Sequence, residues 1–165
     1  MNNFYAQLKI GQEKEKEIQN FLQLSGINCI QNNNQNIKDI DLYLPNINVL
    51  MDIKYLKTPF NASDIFVHIN SKDCITINNR HIDTYYKQQQ ISNKQVWVCF
   101  YINYKQFNIK ELRFAPIKQL VKIKSLSKSV YNDRTHLDKN QLISIENFIR
   151  YCKLKNQINK IEYNY

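Results

Sequence analysis

The amino-acid sequence predicts a single α/β domain in which helices flank a small mixed sheet. Its 165 residues are enough to enclose one sizeable core. Hydrophobic residues make up 43% of the chain, and 11 Tyr and 8 Phe supply large side chains to fill that core. The predicted elements alternate between helix and strand along the chain, and this order is typical of an α/β fold.

The first predicted elements are a helix and a β-hairpin. Residues 4–24 carry apolar side chains such as Ile18 and Leu22 at helical spacing, and Gly26 is a suitable C-cap. The segments IKDIDLYL and NVLMDIKYL that follow alternate in polarity and are separated by a Pro-Asn turn signal. We therefore predict two strands joined by a tight turn.

The remaining elements are predicted from shorter patterns. The run VWVCFYI is the most β-prone segment of the chain. The full prediction comprises strands over 64–70, 73–77, 96–102 and 111–117, helices over 79–90 and directly after Pro116, and a final basic helix over 137–156 with Asp138 or Ser144 as its cap.

Composition excludes several classes of protein. With 2 Gly in the chain, neither a Walker A loop nor a GxGxxG turn can be formed. The 4 Cys contain no CxxC pair, so buried thiols in a reducing compartment are expected rather than a zinc knuckle or a disulfide framework. The N-terminus lacks the apolar core of a signal peptide, and no apolar run is long enough to span a membrane. We expect a protein of the cytoplasm or of an organelle interior, not secreted and without a membrane partner.

The charge is unevenly distributed. The formal net charge is +9, with an excess of one positive charge in residues 1–100 and of eight in residues 101–165. Such an excess favours a polyanionic partner, although a charge run can also be only a solvated face. Basic residues interleaved with aromatic ones are the candidates for nucleic-acid contacts: Lys105, Lys110, Arg113, Lys118, Lys122, Lys124, Lys128 and Arg134.

The predicted hairpin brings two acids together. If its loop is the two residues Asn46 and Ile47, Asp41 pairs with Asp52 across the strands, and directly opposed residues lie roughly 5 Å apart at Cβ. Two like charges at that distance are destabilising unless a cation or a proton joins them. Lys54 shares a face with Asp52. Two metal-binding acids and a lysine suit phosphodiester hydrolysis, whereas the alternative is ordinary charge alternation on an exposed sheet face.

The segment DLYLPNINVLMDIK resembles the core of the PD-(D/E)XK nucleases, in which an acid on one strand precedes a (D/E)-x-K triplet on the next. The matching positions are Asp41, Asp52 and Lys54, and Ile40 stands where the motif name has proline. The resemblance implies a restriction-endonuclease-like core, Mg²⁺ at Asp41 and Asp52 with Mn²⁺ as a possible substitute, and Lys54 as the catalytic lysine.

Two further site residues are implied by the same resemblance. The helix segment GQEKEKEIQNFLQLSG fits the G-x-x-x-E pattern of resolvase-type members, which favours Glu15 as a third metal-binding acid, with Glu13 and Glu17 as alternatives. The segment INNRHIDTYYKQQQ resembles the core helix whose start often completes these sites. Its candidate is His81, with Tyr85 one helical turn further on and Arg80 and Asn78 beside it.

The function expected from these features is site-specific, metal-dependent cleavage of double-stranded DNA. Residues 1–102 are expected to form the catalytic core and 103–165 a basic extension for DNA recognition, within one nuclease domain. A homing endonuclease is favoured, a restriction enzyme is its near neighbour, and a Holliday junction resolvase is the alternative. Cutting a duplex with one site per chain implies at least a homodimer. A non-catalytic nucleic-acid-binding protein is a rival that would leave the opposed acids unexplained. A basic membrane-surface protein would need an amphipathic helix with a strong apolar face, and the candidate segment 137–156 is expected to pack its Ile and Phe residues on the core.

Overall fold

The computed structural model describes the backbone of residues 2–32, 40–126 and 130–162, and the side chains of residues 9–32, 40–126 and 130–159. The predicted DNA-binding residue Lys128 lies outside these ranges. The helices are α1 (Asn2–Leu24), α2 (Ser63–Phe66), α3 (Asn79–Ser92), α4 (Ile117–Lys124) and α5 (Ile145–Glu162).

Nine strands in the described residues form two sheets. The larger sheet has the order β1-β2-β3-β5-β6-β9, in which β3 and β5 are parallel and the other neighbours are antiparallel. The smaller sheet has the order β4-β8-β7. The strands are β1 (Ile30–Gln31), β2 (Leu42–Leu44), β3 (Val49–Leu56), β4 (Cys74–Asn78), β5 (Gln95–Tyr104), β6 (Ile109–Pro116), β7 (Val130–Tyr131), β8 (Arg134–Asp138) and β9 (Ile143–Ser144).

The larger sheet is buried on both faces, because helices pack on each side of it. On one face, α1 and α5 contribute Leu22 and Phe148 to an apolar core. On the other face, α3 and α4 and the smaller sheet contribute residues such as Ile82, Leu120 and Leu137 to a second core. The central strands therefore have apolar side chains on both faces, as expected of a sheet covered twice. The predicted mixed sheet flanked by helices is confirmed.

The predicted β-hairpin is present, and its register is the predicted one. Leu42 pairs with Met51 and Leu44 with Val49, so extension of the ladder by one residue sets Asp41 opposite Asp52. The loop has four residues rather than the two predicted. Its first residue is a proline, which has no N–H for the ladder, and its last, Asn48, has a φ of 54° in the left-handed region that asparagine tolerates.

Two predicted elements were wrong. Residues 64–70 form the end of α2 and a turn rather than a strand: Ile65 and Phe66 are both exposed, without the alternating burial of a strand. The final helix begins at Ile145 instead of 137, because the preceding residues pair as β8 with β4. Ser144 is the cap of this helix, since its Oγ accepts the N–H of Asn147 at 3.4 Å.

The residues after 102 belong to the same two sheets as those before it. Position 102 lies inside β5, β6 and β9 complete the larger sheet, and β8 is the central strand of the smaller one. All four cysteines are buried free thiols, as predicted. In the part of the chain that the structure describes, no helix is both long and apolar enough to cross a membrane.

Candidate active site

The predicted acids of the hairpin lie in a buried environment. The Asp52 side chain projects from the middle of β3 and the residue is 2% exposed, and Asp41 stands directly before β2. The Asp41 carboxylate accepts the backbone N–H of Ile53 at 2.7 Å, which ties the two strands together at this point. Burial and then the charge of Asp52 raise the pKa of Asp41 to about 8.

Lys54 is the nearest positive charge to Asp52. Its Nζ lies 2.9 Å from Asp52 Oδ2, and it also lies 5.3 Å from the centre of the Tyr85 ring. A carboxylate has about four lone pairs, so the contact with Lys54 does not use all the acceptor capacity of Asp52. Burial raises the pKa of Asp52, although Lys54, the Tyr85 hydroxyl and His81 oppose that rise. The carboxylate therefore keeps electron pairs that a further cation could accept.

Glu15 of α1 faces the same site. It is half-buried, whereas Glu13 and Glu17 on neighbouring turns are exposed. Burial raises the pKa of Glu15, the charge of Asp52 raises it further, and Lys54 lowers it. Glu17 is engaged elsewhere, since it accepts hydrogen bonds from Lys14 and from the Tyr101 hydroxyl. The structure thus brings Glu15, rather than its two neighbours, into the electrostatic environment of the hairpin acids.

The start of α3 forms the opposite wall. Asn78 begins the helix by accepting the N–H of Arg80 at 2.9 Å, and Arg80 itself is exposed. One turn on, the hydroxyl of the buried Tyr85 lies 3.3 Å from Nδ1 of His81. His81 therefore lies at the site where the sequence predicts it, held by a tyrosine that is itself next to Lys54 and Asp52.

The donor chemistry of the two acids fits a hard divalent cation. No group of three or more His, Cys, Asp or Glu side chains in the described residues is arranged to hold a metal ion, so Glu15 does not join Asp41 and Asp52 as a ready third ligand. Two carboxylates are nevertheless a common protein contribution to a Mg²⁺ site, in which water and substrate phosphate complete the coordination. The mutual repulsion of two buried acids is the conflict that such an ion relieves.

A groove of about 630 Å³ opens beside Lys54 and His81. One predicted DNA-binding residue, Arg134, lines it together with Asn78 of the α3 cap. The groove also has aromatic walls that the sequence analysis missed as part of a site, among them Phe60 and His136. No local signal marks His136, because β8 reaches the groove by pairing with β4, some 60 residues earlier in the chain, whereas Phe60 lies shortly after the end of β3.

The other predicted DNA-binding residues are dispersed over the surface. Arg113 pairs with Glu111, Lys124 with Asp83, and Lys110 lies 3.8 Å from Glu17. The exposed Lys118 lines a different cavity, next to Gln95 and Trp97, and two more exposed lysines are Lys105 and Lys122. Their role in DNA binding stays a prediction.

Comparison with solved structures identifies the fold. The structure of Archaeoglobus fulgidus Hjc, a Holliday junction resolvase from an archaeal hyperthermophile, matches with a TM-score of 0.55 and 10% sequence identity. The match covers 85% of this chain and 95% of the archaeal one. The protein therefore has a restriction-endonuclease-like fold of the type found in Hjc. No protein-family model matches the chain, and no curated protein matches it by sequence.

Proposed function

We propose that this protein is a Mg²⁺-dependent DNA endonuclease that cleaves branched DNA of the Holliday junction type. One observation carries the proposal: the half-buried Asp41 and the buried Asp52 repel each other across the β2–β3 hairpin, and the Lys54 ammonium lies 2.9 Å from Asp52. Buried charges of this kind destabilise a fold and are concentrated at functional sites. The fold similarity to an archaeal resolvase supports junction DNA over a simple duplex as the substrate.

Asp41 and Asp52 are the proposed ligands of the cation, which is Mg²⁺ or Mn²⁺. A divalent cation bound by carboxylate oxygens polarises a phosphoryl oxygen and lowers the pKa of a coordinated water. Glu15 is proposed to accept a hydrogen bond from a water on the α1 side of the site, since the charges of Asp52 and Lys54 both act on its carboxylate. Its role would be to position that water rather than to bind the ion directly.

Lys54 is the proposed catalytic lysine. In the free protein its ammonium pairs with Asp52. With DNA bound, the same ammonium can donate a hydrogen bond to the attacking water or to a non-bridging phosphate oxygen, which offsets the negative charge that grows in the transition state. His81 lines the groove next to Lys54 and is the residue proposed to contact the scissile phosphate.

The proposed active assembly is at least a homodimer. Each chain contributes one pair of opposed acids, and the cleavage of two DNA strands at one place needs two such sites. Most soluble homo-oligomers are symmetric, so a two-fold dimer would present its two sites to two strands in equivalent ways.

Site-specific cleavage of duplex DNA, of the homing or restriction type, is the second candidate. It is favoured by the excess of eight positive charges in residues 101–165 and by exposed lysines such as Lys105, Lys118 and Lys122, which line no wall of the groove. Such residues would contact the phosphates of a longer duplex, and a few arginines could read base edges.

The test is a cleavage assay with three DNAs and a metal control. A synthetic four-way junction, linear duplexes with the sequences of its arms, and a supercoiled plasmid are incubated with Mg²⁺ or with EDTA. We expect Mg²⁺-dependent cuts near the branch of the junction and none in the arm duplexes. Cleavage of the plasmid at one sequence with an untouched junction would favour the second candidate. No cleavage of any DNA with Mg²⁺ or Mn²⁺ would contradict the proposal.

A further inference from the structure

An aromatic wall stands on one side of the groove beside Lys54. It consists of Phe60, Phe66 and Tyr131, whose rings are mutually stacked at centroid distances of 4.3 to 6.2 Å and interplanar angles of 19 to 23°. Phe60 and Tyr131 line the groove itself. The buried His136 also lines the groove, and its ring centroid lies 4.6 Å from that of Phe60.

This wall is not required to fill either core of the molecule. None of its three aromatic residues belongs to the two buried apolar clusters. Phe66 is 47% exposed and its neighbour Ile65 is 73% exposed, so apolar surface remains open to solvent here. An exposed apolar patch next to a candidate active site is typical of a surface that binds a ligand.

The charge of the groove restricts what that ligand can be. None of the described residues lining the groove is acidic, whereas Lys54 and Arg134 supply positive charge to it. Asn78 and Asn132 add amide groups that can donate to or accept from a base edge or a phosphate. Aromatic rings combined with positive charge and amides are the features by which proteins hold single-stranded nucleotides.

A polar network anchors the turn next to Tyr131 to the start of α3. The Thr135 hydroxyl donates to Asn79 Oδ1 at 2.6 Å, the Asn79 amide donates to Asp133 at 3.3 Å, and the Asn79 N–H donates to the Asp133 carbonyl. This network joins the turn between β7 and β8 to the first residue of α3. It therefore fixes Tyr131 and Arg134 relative to His81, two residues further along that helix.

We propose that the groove binds an unpaired nucleobase of the substrate strand, stacked on Phe60 and Tyr131, next to the phosphate that is cleaved. This inference rests on the proposed nuclease function and specifies its substrate: DNA whose bases are unstacked beside the cut, as at a branch, gap or flap. A volume of about 630 Å³ lies within the 300–1,000 Å³ range of small-molecule sites and leaves room for a nucleotide. A fully stacked duplex offers no base to this wall.

Binding in EDTA tests the proposal without cleavage. Three DNAs of one sequence are compared: an intact duplex, a duplex with a two-nucleotide gap, and a four-way junction with two unpaired nucleotides at its branch. We expect Tyr131→Leu and Phe60→Leu to weaken binding of the gapped DNA and the junction by about tenfold, as loss of one stacking partner does, and to leave duplex binding unchanged. Tyr131→Phe and Phe60→Tyr retain the ring and should bind like the wild type. Tyr86→Leu on the exposed side of α3 is the matched control.

Equal weakening for all three DNAs, or none for any, would overturn the stacking site. Should the leucine variants fail to fold, the wild-type chain provides the answer through photocross-linking to a 5-iodouracil placed in the gap. Cross-links at Phe60, Tyr131 or His136 support the proposal, and cross-links confined to other residues overturn it. The two proposals fail separately. If the protein cleaves DNA but the leucine variants bind all three DNAs like the wild type, the stacking site alone is rejected. If the leucine variants lose binding only to the gapped and branched DNAs but the wild type shows no metal-dependent cleavage, the nuclease function is rejected.

Discussion

Strand β3 is buried on both faces, but one face is apolar whereas the other carries the charged residues Asp52 and Lys54. On the face towards α1 and α5, Val49 and Met51 are fully buried in an apolar core. On the face towards α3, the strand passes from Leu50 in the core to Asp52, which is 2% exposed, and then to Lys54. A leucine or valine at position 52 would fill this space without the free-energy penalty of a buried charge. The difference shows that the second face departs from the requirements of folding, and such departures mark functional sites.

The largest effect that this comparison predicts is at the two acids. Asp41→Asn or Asp52→Asn should reduce Mg²⁺-dependent DNA cleavage to background, since each removes one proposed ligand of the cation. DNA affinity in EDTA should be unchanged or tighter, because neither substitution adds negative charge that could repel the DNA phosphates. Cleavage and binding are measured with the same junction DNA. Met51→Leu on the other face is the control, and wild-type cleavage by either Asn variant would refute the site.

A smaller loss is expected at Lys54. Lys54→Ala should lower the rate of the chemical step by roughly 10²–10³-fold, which is the usual effect of losing one donor to a transition-state oxyanion. The Mg²⁺ concentration for half-maximal activity should change little, because the lysine is not a ligand. Single-turnover cleavage across a Mg²⁺ series measures both quantities. Lys57→Ala, beyond the end of β3 and exposed, is the control. Equal losses at both lysines would mean that Lys54 acts only as an ordinary surface charge and not as a catalytic residue.

The next prediction concerns Glu15, which α1 contributes to the site. Glu15→Gln should reduce cleavage by about 10–100-fold, the effect expected when a group that orients the ligands or water of a metal site is lost. Glu17→Gln should leave cleavage unchanged, because Glu17 pairs with Lys14 and Tyr101 on the exposed side. Cleavage rates at saturating Mg²⁺ distinguish the two. A larger loss of cleavage for Glu17→Gln than for Glu15→Gln would show that Glu15 is not the glutamate of the active site.

A further predicted effect, on folding rather than on cleavage, is a pH dependence of stability in the metal-free protein. The pKa of Asp41 is about 8 in the folded chain and has an ordinary value of 3.8, so folding favours its protonated form. Below pH 3.8 the group is protonated in both states and has no effect. As pH rises from there towards 8, the unfolded chain ionises first, and stability falls by up to about 1.4 kcal/mol per pH unit.

Thermal unfolding in EDTA at pH 5 and pH 8 measures this effect. Asp41→Asn does not titrate, and its amide oxygen can still accept the N–H of Ile53. The variant should therefore be more stable than the wild type, and the difference in melting temperature should be larger at pH 8. Mg²⁺ should stabilise the wild type more than the variant, because the ion binds the folded state. A difference that shrinks towards pH 8 would contradict the raised pKa.

The sequence by itself determines the hairpin and its acids. Alternation of apolar and polar residues assigns the two faces of β3, and the Pro-Asn turn fixes the register that opposes Asp41 to Asp52. These features lie within 14 consecutive residues, where dihedral preferences and neighbouring side chains decide the structure. The alternation also predicts that Lys54 lies on the same face as Asp52.

Tertiary structure alone decides the rest of the site. Helical spacing leaves Glu13, Glu15 and Glu17 all eligible, and only the packing of α1 against the sheet buries one of them. The sequence predicts a helix from residue 137, but Leu137 and Asp138 end β8, because hydrogen bonds to β4, some 60 residues earlier, make them part of a strand. That pairing also places Arg134 and Tyr131 at the groove beside Lys54. Contacts between distant segments depend on which surfaces become available for burial, and no local pattern encodes them.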